Sequence, residues 1–185
     1  MTGGANRALF RLAVAAALVL TTGGAPSVAG PGYVFYYRTF GDWTVVCALD
    51  EPTGRKDCRL GAPSPQLAGT GGDVGASLDI VGPPASEPAI VLRVAAAIAD
   101  GRPAVLTVDG HAGHQAALAR TGEAAWHGAE ARAILAEMSA GQTVSIRFVR
   151  WNEPAEAERR FSLTGFAPAL QTYRQQLAAI GGQPR

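Results

Sequence analysis

The sequence contains few residues of the kinds on which thiol and metal chemistry depend. Its 185 residues include two cysteines, Cys47 and Cys58, three histidines and a single lysine, Lys56. The cysteines do not have the Cys-x-x-Cys spacing of redox enzymes. No Gly-x-Ser-x-Gly motif is present to place an esterase-type serine on a strand-to-helix turn. The sequence therefore carries no motif for a thiol oxidoreductase or for an enzyme of that esterase type.

Charge is also scarce, and it is balanced. Charged residues make up 17% of the chain, with 16 Lys and Arg against 15 Asp and Glu and a formal net charge of +1. The chain has no long run of one sign and no internal repeat. Near-neutrality gives no electrostatic basis for binding nucleic acid or an anionic membrane surface. We therefore expect neither as a partner.

No apolar run is long enough to span a bilayer, which takes about 20 residues. The run from Leu12 to Leu20 follows Arg7 and Arg11 and precedes small residues at the −3 and −1 positions of a cut after Ala29. This layout is typical of a secretory signal peptide. We predict a signal peptide over residues 1–29, with an uncleaved membrane anchor as the alternative. No cysteine lies at the cut, so a lipoprotein anchor is not indicated.

Residues 30–185 would then form the mature protein, one domain's worth of chain that can bury a core without many disulfides. Without Arg7 and Arg11, 14 basic residues face 15 acidic ones and the formal charge is −1. No transmembrane segment is predicted in this part. Export predicts a periplasmic protein, or a secreted one associated with the outer surface. In such an oxidising compartment an even number of cysteines indicates a disulfide.

A strand is predicted from Trp43 to Leu49, where β-branched, aromatic and apolar residues follow a Gly-Asp pair. The turn residues of segment 50–54 end this strand, and Cys58 falls on the returning segment. Two strands joined by so short a connection can bring Cys47 and Cys58 within the few ångströms that a disulfide requires. We predict this bridge. Two separately buried thiols are the alternative.

An aromatic segment, Tyr33-Val34-Phe35-Tyr36-Tyr37, opens the mature chain. Aromatic and β-branched residues favour strands. The segment is therefore predicted to be a first strand or an N-terminal arm packed on the sheet, with an exposed aromatic binding patch as the alternative.

Further strands are predicted where apolar residues alternate or cluster between turn residues. The stretch from Gly61 to Gly75, rich in Gly, Pro, Ser and Thr, is predicted as a loop. The predicted strands are Leu78–Val81, Ala89–Val94, Ala104–Val108, Gln115–Arg120, Thr143–Phe148 and Arg160–Leu163.

Two helices are predicted from apolar residues at three- and four-residue spacings. The first spans Glu130–Ala140, with Gly141 as its stop and a buried face formed by Ala131, Ile134, Leu135 and Met138. The second is C-terminal, with an apolar stripe formed by Phe166, Leu170, Tyr173, Leu177 and Ile180. We therefore predict a mainly β fold, an antiparallel β-sandwich or barrel-like sheet with two α-helices.

Asp109, His111 and His114 are the candidates for an enzymatic site. They place a carboxylate and two imidazoles close along the chain, and zinc or another divalent metal accepts such ligands. Three protein ligands would leave a position for a bound water. The same residues also have an ordinary explanation, Asp109-Gly110 as a turn and the histidines as exposed loop residues. We keep the metal site as the alternative and predict no cofactor.

Several segments follow one another along the mature chain: Phe40-Gly41-Asp42-Trp43-Thr44-Val45-Val46-Cys47, then Cys58, Leu106-Thr107-Val108-Asp109-Gly110, Met138-Ser139-Ala140-Gly141 and Phe161-Ser162-Leu163-Thr164-Gly165-Phe166. Their order resembles the invasion-associated locus B family of exported bacterial proteins, over nearly all of the mature chain. The more specific segments contain five residues that we call the signature residues: Gly41, Asp42, Trp43, Gly165 and Phe166.

The resemblance implies a periplasmic or surface-associated, mostly β protein with no established catalytic residues. The family's name implies a part in host-cell invasion. Members often carry a second cysteine pair just before the middle helix. This chain has no cysteine there, and its residues in that neighbourhood include Gly122, Trp126, His127 and Gly128. This departure identifies it as a divergent member.

We therefore predict an exported, non-catalytic binding or envelope-associated protein that is virulence-related and acts on a protein or envelope partner. The alternative is a metal-dependent periplasmic hydrolase that uses Asp109, His111 and His114.

Overall fold

The computed structural model describes residues 33–63, 75–82, 87–95, 97–120, 122–151, 153 and 155–181. The predicted signal peptide and its cleavage site lie outside these residues. The described chain forms eleven strands and two helices: β1 Tyr33–Phe40, β2 Trp43–Asp50, β3 Arg55–Pro63, β4 Ala76–Val81, β5 Ala89–Val94, β6 Val105–Val108, β7 His114–Gln115, β8 Leu118–Arg120, β9 Glu123–Trp126, α1 Gly128–Ala140, β10 Thr143–Val149, β11 Glu156–Ser162 and α2 Phe166–Gly181.

The strands form two antiparallel sheets. The larger sheet has seven strands in the order β1-β2-β3-β4-β5-β9-β8, and the smaller has four in the order β11-β10-β6-β7. Because both sheets keep open edges, the fold is sandwich-like and not a closed barrel. The predicted fold class is confirmed. In the described part of the chain, no helix combines the length and the apolarity needed to cross a membrane.

The predicted disulfide is confirmed. In the β2–β3 hairpin, Cys47 lies directly opposite Cys58. Their Cα atoms are 4.0 Å apart and the two sulfurs are bonded. Both side chains are buried, so the bridge is part of the core on the inner face of the larger sheet.

One continuous hydrophobic core joins both sheets and both helices. On β10 the predicted alternation is observed, with Val144, Ile146 and Phe148 buried. The predicted face of α1 is the buried one. On α2 the predicted stripe is buried only in its first half, because Leu177 and Ile180 are partly exposed while Tyr173 is 1% exposed.

The predicted strand Gln115–Arg120 is wrong as a single element. In its place β7 pairs with β6 in the smaller sheet, and β8 pairs with β9 in the larger one. The chain changes sheet between Ala116, whose N–H donates to Ala104 O at 2.8 Å, and Ala117, whose N–H donates to Ala125 O at 3.0 Å. Alanine disfavours strands, which is why the sequence pattern missed both the break and β9.

The predicted loop from Gly61 to Gly75 begins later than expected. Strand β3 continues to Pro63 because Gly61 and Ala62 pair with Asp79 and Leu78 on β4. Residues 64–74 of the predicted loop lie outside the described residues.

Candidate functional site

Trp43, the central signature residue, links the larger sheet to the C-terminal helix. Its ring is fully buried and packs edge-on against Phe166 of α2, with ring centroids 4.7 Å apart. Its Nε1–H donates to the backbone oxygen of Ser162 at 2.9 Å. Buried indole groups need such a partner. Trp43 therefore has a structural role, because it connects a strand near the start of the described chain to the helix near its end.

The signature glycines permit the backbones to approach closely at the same place. Gly41, in the β1–β2 turn, has φ +56°, and a Cβ there would lie 2.5 Å from Thr164 O. Gly165 has φ +82°, and a Cβ there would collide with the backbone oxygen of Phe40. The Asp42 N–H completes the contact by donating to Thr164 O at 3.1 Å. We call this contact between the β1–β2 turn and the start of α2 the hairpin–helix junction.

Asp109 stabilises a turn. Its φ of +48° is unusual for a residue with a side chain. Its carboxylate accepts hydrogen bonds from the backbone N–H groups of Gln142 (2.9 Å to Oδ2) and Thr143 (2.8 Å to Oδ1). Carboxylates satisfy such unpaired donors well. The Asp109 side chain is thus occupied in joining the end of β6 to the start of β10.

His114 contacts two carboxylates on α1. Its Nδ1 lies 2.6 Å from Glu130 Oε1, and its Nε2 lies 3.1 Å from both oxygens of Glu137. The backbone oxygen of His114 accepts a hydrogen bond from Trp126 Nε1 at 3.0 Å. Side chain and backbone of this residue therefore tie β7 to both α1 and β9.

This arrangement favours a charged imidazole. Each ring nitrogen faces a carboxylate oxygen, and only the protonated ring has a hydrogen to donate from both nitrogens. Burial lowers the pKa of His114, but the hydrogen bonds to Glu130 and Glu137 and their charges raise it more, so the net pKa lies above the ordinary 6.5. His114 is therefore part of an ion-paired link between a strand and a helix.

The three residues of the predicted metal site do not converge on a common centre. Asp109 binds backbone N–H groups, His114 binds two glutamates, and His111 is exposed. Among the residues that the structure describes, no group of three or more His, Cys, Asp or Glu is arranged to hold a metal ion.

A charged group on the larger sheet was not predicted. Asp79 on β4 is 3% exposed. Its carboxylate lies 2.6 Å from Arg93 Nη1 and 3.7 Å from Arg59 Nε, and Arg93 also contacts Glu123 at 3.1 Å. A Cβ at Gly61 would collide with Asp79. The only sequence signal for this group is a lone aspartate between the apolar residues of a strand. The charged group connects four neighbouring strands, β3, β4, β5 and β9.

Strand β1 carries several exposed large hydrophobic residues. Tyr33 is 62% exposed and Tyr37 68%. Among the described strands, β1 stands at one edge of the larger sheet and pairs only with β2. We call these residues the edge surface and define it by the four exposed large hydrophobic residues of β1: Tyr33, Val34, Phe35 and Tyr37. The predicted first strand is confirmed, and the rings of Tyr33, Phe35 and Tyr37 on it are exposed. Whether these rings bind a partner stays a prediction.

Two features shape the edge surface. The register of β1 against β2 shifts between Val34 and Tyr36, so Phe35 has no partner residue on β2. Lys56 places its ammonium nitrogen 5.8 Å from the centre of the Phe35 ring, and the Arg38 guanidinium lies 4.9 Å from the Phe40 ring centre. These cation–π contacts restrain the two rings on a strand whose outer edge no other described strand pairs with.

Comparison of the chain with protein-family models, with curated proteins and with solved structures finds no match.

Proposed function

We propose that this chain is an exported, non-catalytic binding protein of the bacterial envelope, and that its partner docks on the edge surface. One observation carries the proposal: an eight-residue edge strand presents two tyrosines that are each more than 60% exposed.

The physical case rests on how proteins treat free sheet edges. An edge strand exposes unpaired backbone N–H and C=O groups, and natural proteins protect such edges with charges, prolines or short strands. Strand β1 contains no proline and one charged residue, Arg38. Tyrosine supplies large contact area with little loss of side-chain entropy and is enriched at binding hot spots. The edge surface therefore suits a partner protein that adds an extended segment to the sheet.

Export is supported by the predicted signal peptide over residues 1–29 and by the disulfide between Cys47 and Cys58, a bond that persists in oxidising compartments. The resemblance to the invasion-associated locus B family agrees with this location and suggests a partner at the envelope or on a host cell. The signature residues that carry the resemblance serve the hairpin–helix junction, so they support the fold of a binding domain.

The hydrolase alternative receives less support from the contacts. Asp109 and His114 each have complete sets of partners that are separate from one another. The described lining of the cavity that Asp109 borders includes neither His111 nor His114.

The proposal predicts that loss of the edge tyrosines removes binding without loss of folding. The Tyr33→Ser/Tyr37→Ser variant should bind its envelope partner at least about 30-fold more weakly, as for two hot-spot residues. Its unfolding midpoint should stay near wild type because both rings are exposed. Quantitative pull-down from an envelope extract with the mature domain measures the first effect, and thermal unfolding measures the second.

Trp151→Ser is the matched control, since Trp151 is an equally exposed aromatic (64%) next to the end of β10. Its captured proteins should match those of the wild type. Recovery of the same proteins in the same amounts by all three forms would contradict a binding role for the edge surface.

A further inference from the structure

A cavity of about 410 Å³ is lined by both helices and by Gly82 and Pro88, which lie beside strands β4 and β5. Its apolar wall is formed by Leu135 of α1 and by Leu170, Tyr173 and Leu177 of α2. These α2 residues are spaced three and four positions apart and share one helical face. Because Leu177 is only partly buried, the apolar stripe of α2 continues beyond the part that the protein core covers.

The volume sets the size of a possible occupant. A methylene group is similar in size to a water molecule, whose share of liquid volume is about 30 Å³. A cavity of 410 Å³ therefore has room for roughly a dozen carbon atoms, and it falls within the range of about 300–1,000 Å³ typical of small-molecule sites. A wall of three leucines and one tyrosine ring suits an unbranched alkyl chain better than a polar compound.

The charges at the cavity have one sign. Arg132 of α1 and Arg174 of α2 line it, and its described lining contains no carboxylate. Arg132 is paired with Glu87. Within the described residues, Arg174 forms no hydrogen bond or ion pair and is exposed. A guanidinium without a partner beside an apolar cavity favours an anionic head group, because its fork of N–H donors matches a carboxylate.

Tyr173 also lines the cavity. Its hydroxyl is buried and has no hydrogen-bond partner among the described residues. Burial, with a smaller contribution from the charge of Asp57, raises the pKa of Tyr173, so the hydroxyl stays protonated and remains a donor. Buried donors are rarely left unpaired in native proteins.

We propose that this cavity binds a free single-chain aliphatic carboxylate of roughly eight to twelve carbons. The hydrocarbon chain lies against Leu135, Leu170 and Leu177, and the carboxylate lies at Arg174 with Arg132 beside it. This ligand site is distinct from the edge surface and does not depend on the proposed function.

Binding of dodecanoate to delipidated, purified protein tests the chain-length requirement. Isothermal titration below the critical micelle concentration should show a single saturable site. In the series from octanoate to dodecanoate, affinity should rise about fourfold for each added methylene buried. Affinity that does not change along the series, or heat that does not saturate, would overturn the proposal.

Head-group comparison tests the charge requirement. Dodecanoate should bind at least about tenfold more tightly than dodecylammonium or dodecanol, the gain expected from one charge-assisted contact. Equal binding of the three compounds would show only non-specific affinity for alkyl chains and would overturn the site. Binding of anionic phospholipid vesicles in place of free dodecanoate would also overturn it, in favour of a membrane contact.

Two variants locate the site. Arg174→Gln should weaken dodecanoate about tenfold and leave dodecanol unchanged. Leu177→Trp fills the cavity and should weaken both compounds. Arg102→Gln makes the same charge change on an exposed turn and should bind as wild type does, as should the edge-surface variant Tyr37→Ser. The assignment fails if Arg174→Gln and Arg102→Gln bind dodecanoate equally well, or if Leu177→Trp binds like wild type.

Discussion

His114 shows how two glutamates can make one side chain pH-sensitive. Its ring is 14% exposed and has Glu130 on one side and Glu137 on the other. The pKa of His114 in the folded protein lies above the ordinary 6.5 because the hydrogen bonds and charges of the two glutamates outweigh burial. The folded protein therefore holds this proton more tightly than the unfolded chain does.

The sign of the pH effect follows from this difference. The contribution of His114 to stability is fully present below about pH 6.5, the unfolded value, and is lost as the pH rises through the higher pKa of the folded state. We predict that His114→Gln lowers the free energy of unfolding by on the order of 1 kcal/mol at pH 6 and by less at pH 9. Urea unfolding at the two pH values measures both effects.

His111→Gln is the control for this prediction, because His111 is exposed and lies three residues before His114. It should shift the urea midpoint little at either pH. A difference between wild type and His114→Gln that is constant from pH 6 to pH 9 would show that the ring contributes packing and no charge.

The hairpin–helix junction shows at the scale of elements how two segments far apart in the sequence depend on each other. Gly165 has φ +82°, and a Cβ there would collide with the backbone of Phe40. Gly54 has φ +64°, but a Cβ there would have no other atom within 4 Å. Replacement of either glycine by alanine costs backbone strain, whereas only Gly165→Ala also forces the β1–β2 turn away from α2.

We predict that Gly165→Ala lowers the free energy of unfolding by about 3 kcal/mol, from strain and overpacking together. Gly54→Ala should cost about 1 kcal/mol, from strain alone. Chemical denaturation of the two variants separates the terms. Equal losses would mean that the close approach at Gly165 adds no stability.

Periodicity predicted the elements that bury one regular face. Spacing alone predicted the four buried residues of α1 and the alternation of Val144, Ile146 and Phe148 on β10. The first pattern repeats over several helical turns, and the second repeats at every other residue of the strand. It failed between Gln115 and Trp126, where short, alanine-rich strands divide between two sheets. Strand pairing and not local preference decides such segments.

The candidate sites were less predictable than the fold. The edge aromatics were visible in the sequence, but their exposure depends on the place of β1 at the end of the sheet. Glu130 and Glu137 lie seven positions apart on one helical face, yet nothing local indicates that His114 lies between them. The cavity between α1 and α2 depends on the packing of two helices far apart in sequence, which no short motif records.

At the scale of the whole molecule, the disulfide and the core make separate contributions. The bridge joins residues 11 positions apart on paired strands, so it constrains one hairpin. The core, by contrast, joins both sheets and both helices. Loss of the bridge should therefore lower stability without removing the fold.

We predict that the Cys47→Ala/Cys58→Ala variant unfolds at a lower denaturant midpoint, with a loss of about 3 kcal/mol from the loop-closure entropy that the bridge removes from the unfolded chain. Its far-UV and near-UV circular dichroism at low temperature should match wild type, because the core residues around the bridge stay in place.

Wild-type protein reduced with dithiothreitol is the matched control and should unfold at nearly the same midpoint as the variant. Thiol counting on denatured protein that was purified without a reductant tests the premise, since two free thiols would contradict the bridge. A reduced protein that loses its near-UV signal at low temperature would show that the first hairpin depends on the bridge for its packing as well as for its stability.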